Sequence, residues 1–124
     1  MPAEIEGFDT NDTLDRLGGD VALYHRILAM LLPALKKTLE QFDIAQREND
    51  RSALVIRTHD ILGMGANVGA VVLAKAAREL EKALKEDRAT AQQLASFRTL
   101  LADTVQALET GLRKRKNSTE ATNG

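Results

Sequence analysis

Apolar residues along this chain recur every three or four positions, and nowhere do they alternate with period two. That pattern predicts helices and no hairpins. A short helical piece is expected over residues 12–17, capped by Asn11 or Asp12 and closed by Gly18-Gly19, a pair tolerant of positive φ. Asp20 then caps a second helix over 21–49, with Tyr24, Leu28, Leu31, Leu35, Leu39 and Phe42 on one stripe. Pro33 lies inside that run, where a proline costs about 3 kcal/mol, so a break or kink is expected near Leu32, with Pro33 well suited to the first position of a new helix. Asn49-Asp50 reads as a turn. A third helix is predicted over 51–66 (Leu54, Thr58, Ile61, Gly65), a fourth over 70–86 (Leu73, Ala77, Leu80, Leu84), and a fifth over 90–115 (Leu94, Phe97, Leu101, Leu108, Leu112). The connections are short, which favours antiparallel neighbours. The fold class expected is all-α: an antiparallel up-down four-helix bundle with a short N-terminal helical extension. Residues 1–7 form a lead-in, 8–115 the bundle, and 116–124 a flexible polar tail.

Composition narrows the function classes. The chain has 124 residues, one domain's worth, with 44% apolar and 28% charged residues, enough for a core and against wholesale disorder. Aromatics are only 3%, which argues against a stacking platform for single-stranded nucleic acid. Seventeen basic residues against 18 acidic ones give a net charge of −1, without the basic excess of a nucleic-acid binder. There is no cysteine, so disulfide scaffolds and thiol chemistry are excluded, and two histidines make a zinc site improbable. No run is long and apolar enough for a membrane span, and the N-terminus lacks the basic and apolar regions of a signal peptide. A soluble, cytoplasmic chain is the expectation. The basic residues after Arg113 read as a solvated helix end favoured by the dipole. His25 reads as a surface histidine, and Met30 and Met64 as core or rim packing residues.

The stretch from Thr58 to Ala70 carries the chemistry. On a helical wheel His59 lies about 100° or more from the centre of the stripe Leu54, Thr58, Ile61, Gly65. It shares its face with Ser52, Ile56, Gly63 and Ala66. Gly63, one turn beyond His59, removes a side chain that would shade the imidazole, although glycine within a helix costs about 0.5–1 kcal/mol relative to alanine. Gly65 suits close helix packing. Ile56 is apolar on a face expected to be exposed, and beside an accessible histidine it suggests a docking surface. An exposed, unprotonated imidazole is a competent nucleophile and can carry a phosphoryl group on nitrogen. By wheel geometry alone, His59 reads as a plain surface histidine.

These residues resemble a family: the histidine-containing phosphotransfer (HPt) domain of bacterial multistep two-component phosphorelays. Its pattern, His-x-Leu-Lys-Gly-[Ser/Ala/Gly]-[Ala/Ser/Gly]-x-x-[Leu/Ile/Val]-Gly, is met by His59, Ile61, Gly63, Gly65, Val68 and Gly69. Asn67-Val68-Gly69-Ala70 is similar to the family's Asn-[Ile/Leu]-Gly-Ala ending. Leu17-Gly18-Gly19-Asp20 resembles the lead into its second helix, and Leu73, Ala77, Leu80 and Glu81 its Leu-x-x-x-Ala-x-x-Leu-Glu helix. The likeness spans roughly residues 8 to 112. It implies that His59 accepts a phosphoryl group from a receiver-domain aspartate and passes it to another. Ile56, Leu62, Gly63 and Ala66 would form the docking face, and Gly18, Gly19, Asp20, Gly65 and Gly69 would be structural. The domain would have no cofactor or metal of its own, with Mg²⁺ on the partner receiver, and no ATP site. Partners would be response-regulator receivers or a hybrid sensor histidine kinase, the chain itself being a monomer.

One departure from the family is serious. Leu62 stands where the family has lysine, one turn after the histidine, which implies weaker stabilisation of phosphohistidine. Arg57 or Lys75 are the candidates to compensate. The departure leaves a second reading, a degenerate HPt-like domain that docks a receiver or kinase without phosphotransfer. Other classes fit less well. His59-Asp60 resembles the His-[Glu/Asp] pair of a histidine-kinase dimerisation helix, but the proline that follows there is absent and Asp60 falls on the helix flank. Gly63, Gly65 and Gly69 lack the strand, lysine and spacing of a nucleotide-binding loop. A plain helical adaptor would tolerate replacement of His59.

Overall fold

The computed structural model describes residues 5–123, with side chains through residue 114. Five helices follow one another: α1 Thr10–Arg16, α2 Val21–Arg47, α3 Arg51–Val68, α4 Val71–Lys85 and α5 Ala91–Asn123. Among the described residues there is no strand. Short polar side chains start four of the helices by accepting an otherwise orphaned backbone N–H. Asp9 accepts from Asp12 at 3.0 Å, Asp20 from Leu23 at 2.9 Å, Asp50 from Ala53 at 3.0 Å and Thr90 from Gln93 at 3.0 Å. The first cap is therefore Asp9 rather than Asn11 or Asp12, because α1 begins at Thr10 and its open amides face the Asp9 carboxylate. Asp20 caps α2 as expected.

The helix ends share a second device. Left-handed residues follow α1 (Gly18 and Gly19, φ 70° and 79°), α2 (Asn49, φ 51°), α3 (Gly69, φ 80°) and α4 (Asp87, φ 56°). At the end of α2, Asp50 N–H donates to the Ala45 carbonyl, and at the end of α4, Arg88 N–H donates to that of Ala83, each at 2.9 Å, closing the final turn.

Two helix expectations are corrected. Pro33 does not break α2, which runs unbroken from Val21 to Arg47. The proline is exposed, while Leu28, Leu31, Leu35, Thr38 and Phe42 keep one buried stripe on either side of it, so tertiary packing outweighs the lost backbone bond. The backbone of α5 continues past Arg115 to Asn123, since no glycine or proline intervenes before Gly124. Residues 1–4 and 124, and the side chains of 115–123 that include most of the basic cluster, lie outside the described residues.

α2 packs on α3 and α5, and α4 packs on the same two helices, so the four long helices enclose one core. Its centre is Leu28, Leu35 and Phe42 from α2, Thr58 and Ile61 from α3, Leu73, Ala77 and Leu80 from α4, and Phe97, Leu101 and Leu108 from α5. The Phe42 and Phe97 rings meet at 5.5 Å, tilted by 50°. Two ion pairs bridge α2 and α5 at the surface: Lys36 to Glu109 at 2.6 Å and Asp43 to Arg98 at 3.1 Å. Hydrogen bonding from Lys36 holds the Glu109 carboxyl below its ordinary range, and the hydrogen bonds that Arg98 donates to Asp43 raise the guanidinium above its own. The lead-in is docked at Ile5, which is 6% exposed and lies against Gly111 of α5, where an added Cβ would sit 2.8 Å from Ile5 Cγ1. Met64 packs at the rim of the core, but Met30 is 75% exposed and is neither a core nor a rim residue. His25 is half-buried, its ring 6.5 Å from that of Tyr24. Among the described residues no helix is long and apolar enough to cross a membrane.

The corner between α3 and α4 fixes the site described next. Gly69 and Ala70 alone connect the two helices. The Gly69 carbonyl accepts from Asp9 N–H at 2.6 Å, and the Tyr24 hydroxyl donates to the Val68 carbonyl at 3.1 Å. Burial raises the Tyr24 phenol above its ordinary pKa, so it stays a donor. A Cβ on Gly69 would meet the Asp9 carbonyl oxygen at 2.8 Å and Thr13 Oγ1 closer still, at a φ that side chains resist. Gly69→Ala is expected to lower stability by about 3 kcal/mol, and Tyr24→Phe by about 1 kcal/mol, read from urea unfolding midpoints. A Gly69→Ala protein as stable as the parent would contradict this account of the corner.

Candidate functional site

α3 is a helix with two different faces. Leu54, Thr58, Ile61, Gly65 and Val68 are buried. Ser52, Ile56, His59, Gly63 and Ala66 lie on the opposite side and are all exposed. His59 projects from the middle of that exposed row, its side chain 68% accessible. Gly63 leaves open space beside it: an added Cβ would meet nothing within 4 Å. Ala66 adds little bulk, and Ile56, 52% exposed, supplies apolar surface. Leu62 is half-buried and leans on the core, so it belongs less to the exposed face than its neighbours.

α4 contributes the group that sequence reasoning left without a role. Glu81 Oε2 lies 2.7 Å from His59 Nδ1, and the Glu81 side chain is only 12% exposed. A carboxylate is purely an acceptor, so this contact keeps the proton on Nδ1 and leaves the Nε2 lone pair facing solvent. The same oxygen lies 3.7 Å from Lys85 Nζ, one turn along α4. A signal for Glu81 existed in the sequence: it sits at helical spacing between Ala77 and Leu84, a charge on the edge of an apolar stripe. Such a charge needs a partner, but the wheel does not say which one.

The packing of α4 against α3 explains the pairing. Gly65 has no side chain, and a Cβ there would already touch Ala70 and Ala74 at 3.5–3.7 Å. α4 therefore returns close along α3, and further from the corner it brings Glu81 beside His59. Neither expected helper pairs with His59 or Glu81. Arg57 is paired with Asp60 on α3 at 3.2 Å, and Asp60 is exposed. Lys75 is an exposed residue of α4. Gly18, Gly19 and Asp20 form the α1–α2 turn, and Gly65 and Gly69 serve the α3–α4 contact, so these five are separate from the exposed row. Among the described residues no three His, Cys, Asp or Glu side chains gather as metal ligands.

Comparison with known proteins follows the same lines. A family model described as the Hpt domain matches residues 26–118, a span that starts after the Gly18-Gly19-Asp20 turn. Among solved structures, the HPt domain of a sensor hybrid histidine kinase from Shewanella superposes with a TM-score of 0.76 at 21% identity, over 90% of this chain and 97% of that one. Histidine-containing phosphotransfer protein B (HptB) from Pseudomonas aeruginosa PAO1 gives 0.77 at 17% identity, over 93% and 98%. At these identities the likeness is one of fold. Among curated proteins no sequence matches.

Two outcomes are expected from the geometry. Gly63→Ala should stabilise the fold by about 0.5–1 kcal/mol in chemical unfolding, since the helix gains propensity and the methyl meets nothing. Glu81→Ala should shift neutral His59 away from the Nδ1–H tautomer, as read from imidazole ¹⁵N chemical shifts; unchanged shifts would mean that Glu81 does not set it.

Proposed function

The chain belongs to the Hpt domain family, the phosphocarrier modules of two-component signalling, and from that premise we propose that His59 carries the phosphoryl group on Nε2. The observation that supports this most directly is the 2.7 Å contact between Glu81 and Nδ1 on an otherwise open imidazole. In the step proposed, the Nε2 lone pair attacks the phosphorus of a receiver's aspartyl phosphate. The P–N bond forms as the P–O bond breaks, and the electron pair leaves with the aspartate carboxylate. The proton on Nδ1 stays in place, and the Glu81 carboxylate offsets the positive charge that develops on the ring. Transfer onward to a second receiver is the reverse of this step.

The surface suits a protein partner. Gly63 and Ala66 leave room for another protein to approach, while Ile56 and the edge of Leu62 offer apolar area around the histidine. The acceptor or donor aspartate and its Mg²⁺ belong to the receiver, and ATP has no part in the transfer. A receiver domain, free or within a hybrid sensor kinase, is thus the partner proposed, and a cytoplasmic monomer the form that meets it. The antiparallel up-down arrangement of the four long helices belongs to the same reading, supported by their short connections and by the way each packs on two others.

The test is transfer from a phosphorylated, Mg²⁺-loaded receiver of the same organism. Acid-labile, base-stable label should appear on the wild type and be lost in His59→Gln. Gly63→Phe, which fills the open space without touching the core, should slow transfer at least about tenfold while leaving the unfolding midpoint near that of the parent. Receiver binding that survives His59→Gln, with no label on the wild type, would replace this proposal by the docking-only reading that Leu62 allows.

A further inference from the structure

A phosphoryl group on Nε2 brings about two negative charges to the protein surface and needs a cation close by. α3 does not provide one. Leu62, one turn beyond His59, is uncharged and half-buried, and Arg57 is held by Asp60 at 3.2 Å. α4 does provide one. Lys85 Nζ lies 3.7 Å from Glu81 Oε2, the same oxygen that stands 2.7 Å from His59 Nδ1. Of the ion pairs among the described residues, this is the one whose acid also holds the imidazole. The Lys85 side chain is 61% exposed, and its contact with Glu81 is loose.

We infer that Lys85 is the phosphoryl-binding cation of this domain, supplied from α4 in place of a lysine at position 62. The inference rests on His59 being the phosphorylated residue. Before phosphorylation Lys85 and His59 share the Glu81 carboxylate. Once Nε2 carries a phosphoryl group, the flexible lysine stem lets the ammonium swing from Glu81 to the phosphoryl oxygens, where a dianion attracts it more strongly than a shared carboxylate. Glu81 then keeps the Nδ1 proton as its remaining partner, and no proton changes hands. Glu81 is thus the positioning residue for the ring and Lys85 the binding residue for the phosphate.

The experiment uses potassium phosphoramidate to phosphorylate the full chain, so that no receiver is needed, and follows the phosphohistidine by ³¹P NMR across a pH titration. A nearby cation favours the phosphoryl dianion, so its loss raises the midpoint of the monoanion-to-dianion change. Lys85→Ala should raise that midpoint by about half a pH unit or more, and receiver-to-His59 transfer should slow roughly two- to tenfold. Lys85→Arg should stay near the wild type, the Leu62→Lys change added to Lys85→Ala should restore it, and Lys82→Ala, on the neighbouring position of α4, should change nothing. A Lys85→Ala protein that titrates as the wild type overturns the assignment to Lys85 while leaving the relay reading intact. A Lys85-dependent titration with no transfer from any receiver keeps the cation assignment and removes the relay. Failure of phosphoramidate to label His59 overturns both.

Discussion

A left-handed glycine ends α3, and with Ala70 it makes up the whole connection to α4. A connection so short leaves α4 no choice but to turn back along the helix before it, and the missing side chain of Gly65 lets the two backbones approach. From that corner the register between α3 and α4 is fixed, and with it the meeting of a histidine on one helix with a glutamate on the other. The corner is held from outside as well. Asp9 donates its N–H to the Gly69 carbonyl, and the buried Tyr24 hydroxyl donates to the Val68 carbonyl next to it. α1, too short to be stable alone, and α2 thus both reach the α3–α4 turn. The chemistry on the exposed face is set by hydrogen bonds made at a buried corner several turns away.

α3 divides its residues between two demands. Its inner row gives up side-chain volume at Gly65 to bring α4 near. Its outer row gives up helix propensity at Gly63 and leaves an isoleucine in water at Ile56. A helix selected for stability alone would carry alanine at position 63 and a polar residue at 56. Local rules broken together, on one face, around one histidine, support the proposed functional surface more firmly than any one of them alone.

Much of this was legible in the sequence, for identifiable reasons. The helical stripes are readable because the spacing that makes their apolar residues visible also places them in the core, and Asp20 and Gly18-Gly19 are readable because few side chains suit a cap or a left-handed end. The exposed row around His59 followed from the wheel. Pro33 misled because its local cost was weighed without the packing on either side of it. Asp9 does not stand out as the cap because two equally good capping residues, Asn11 and Asp12, follow it. The seat of Ile5 on Gly111 joins residues far apart in the chain, and no periodicity reports that. Glu81 and Lys85 were visible as residues but not as partners of His59, since the register between two helices is a property of their turn and their packing rather than of either stripe. The likeness to HPt domains brings His59 forward, and the departure at Leu62 is what directs attention to the cations of α4.

The tether between Glu81 and Nδ1 has a stereochemical consequence. A free imidazole on a helix surface turns about its Cβ–Cγ bond and offers its lone pair over a wide cone. Fastened at Nδ1, the ring of His59 points Nε2 in one direction relative to the axis of α3. A phosphorus centre must be met along the line of its departing bond, so two molecules colliding at random would mostly meet at the wrong angle. In the transfer proposed, with the ring's aim fixed by α4, the search for alignment would pass to the docking partner, which would need only to find one orientation of two rigid surfaces rather than wait for a spinning side chain as well.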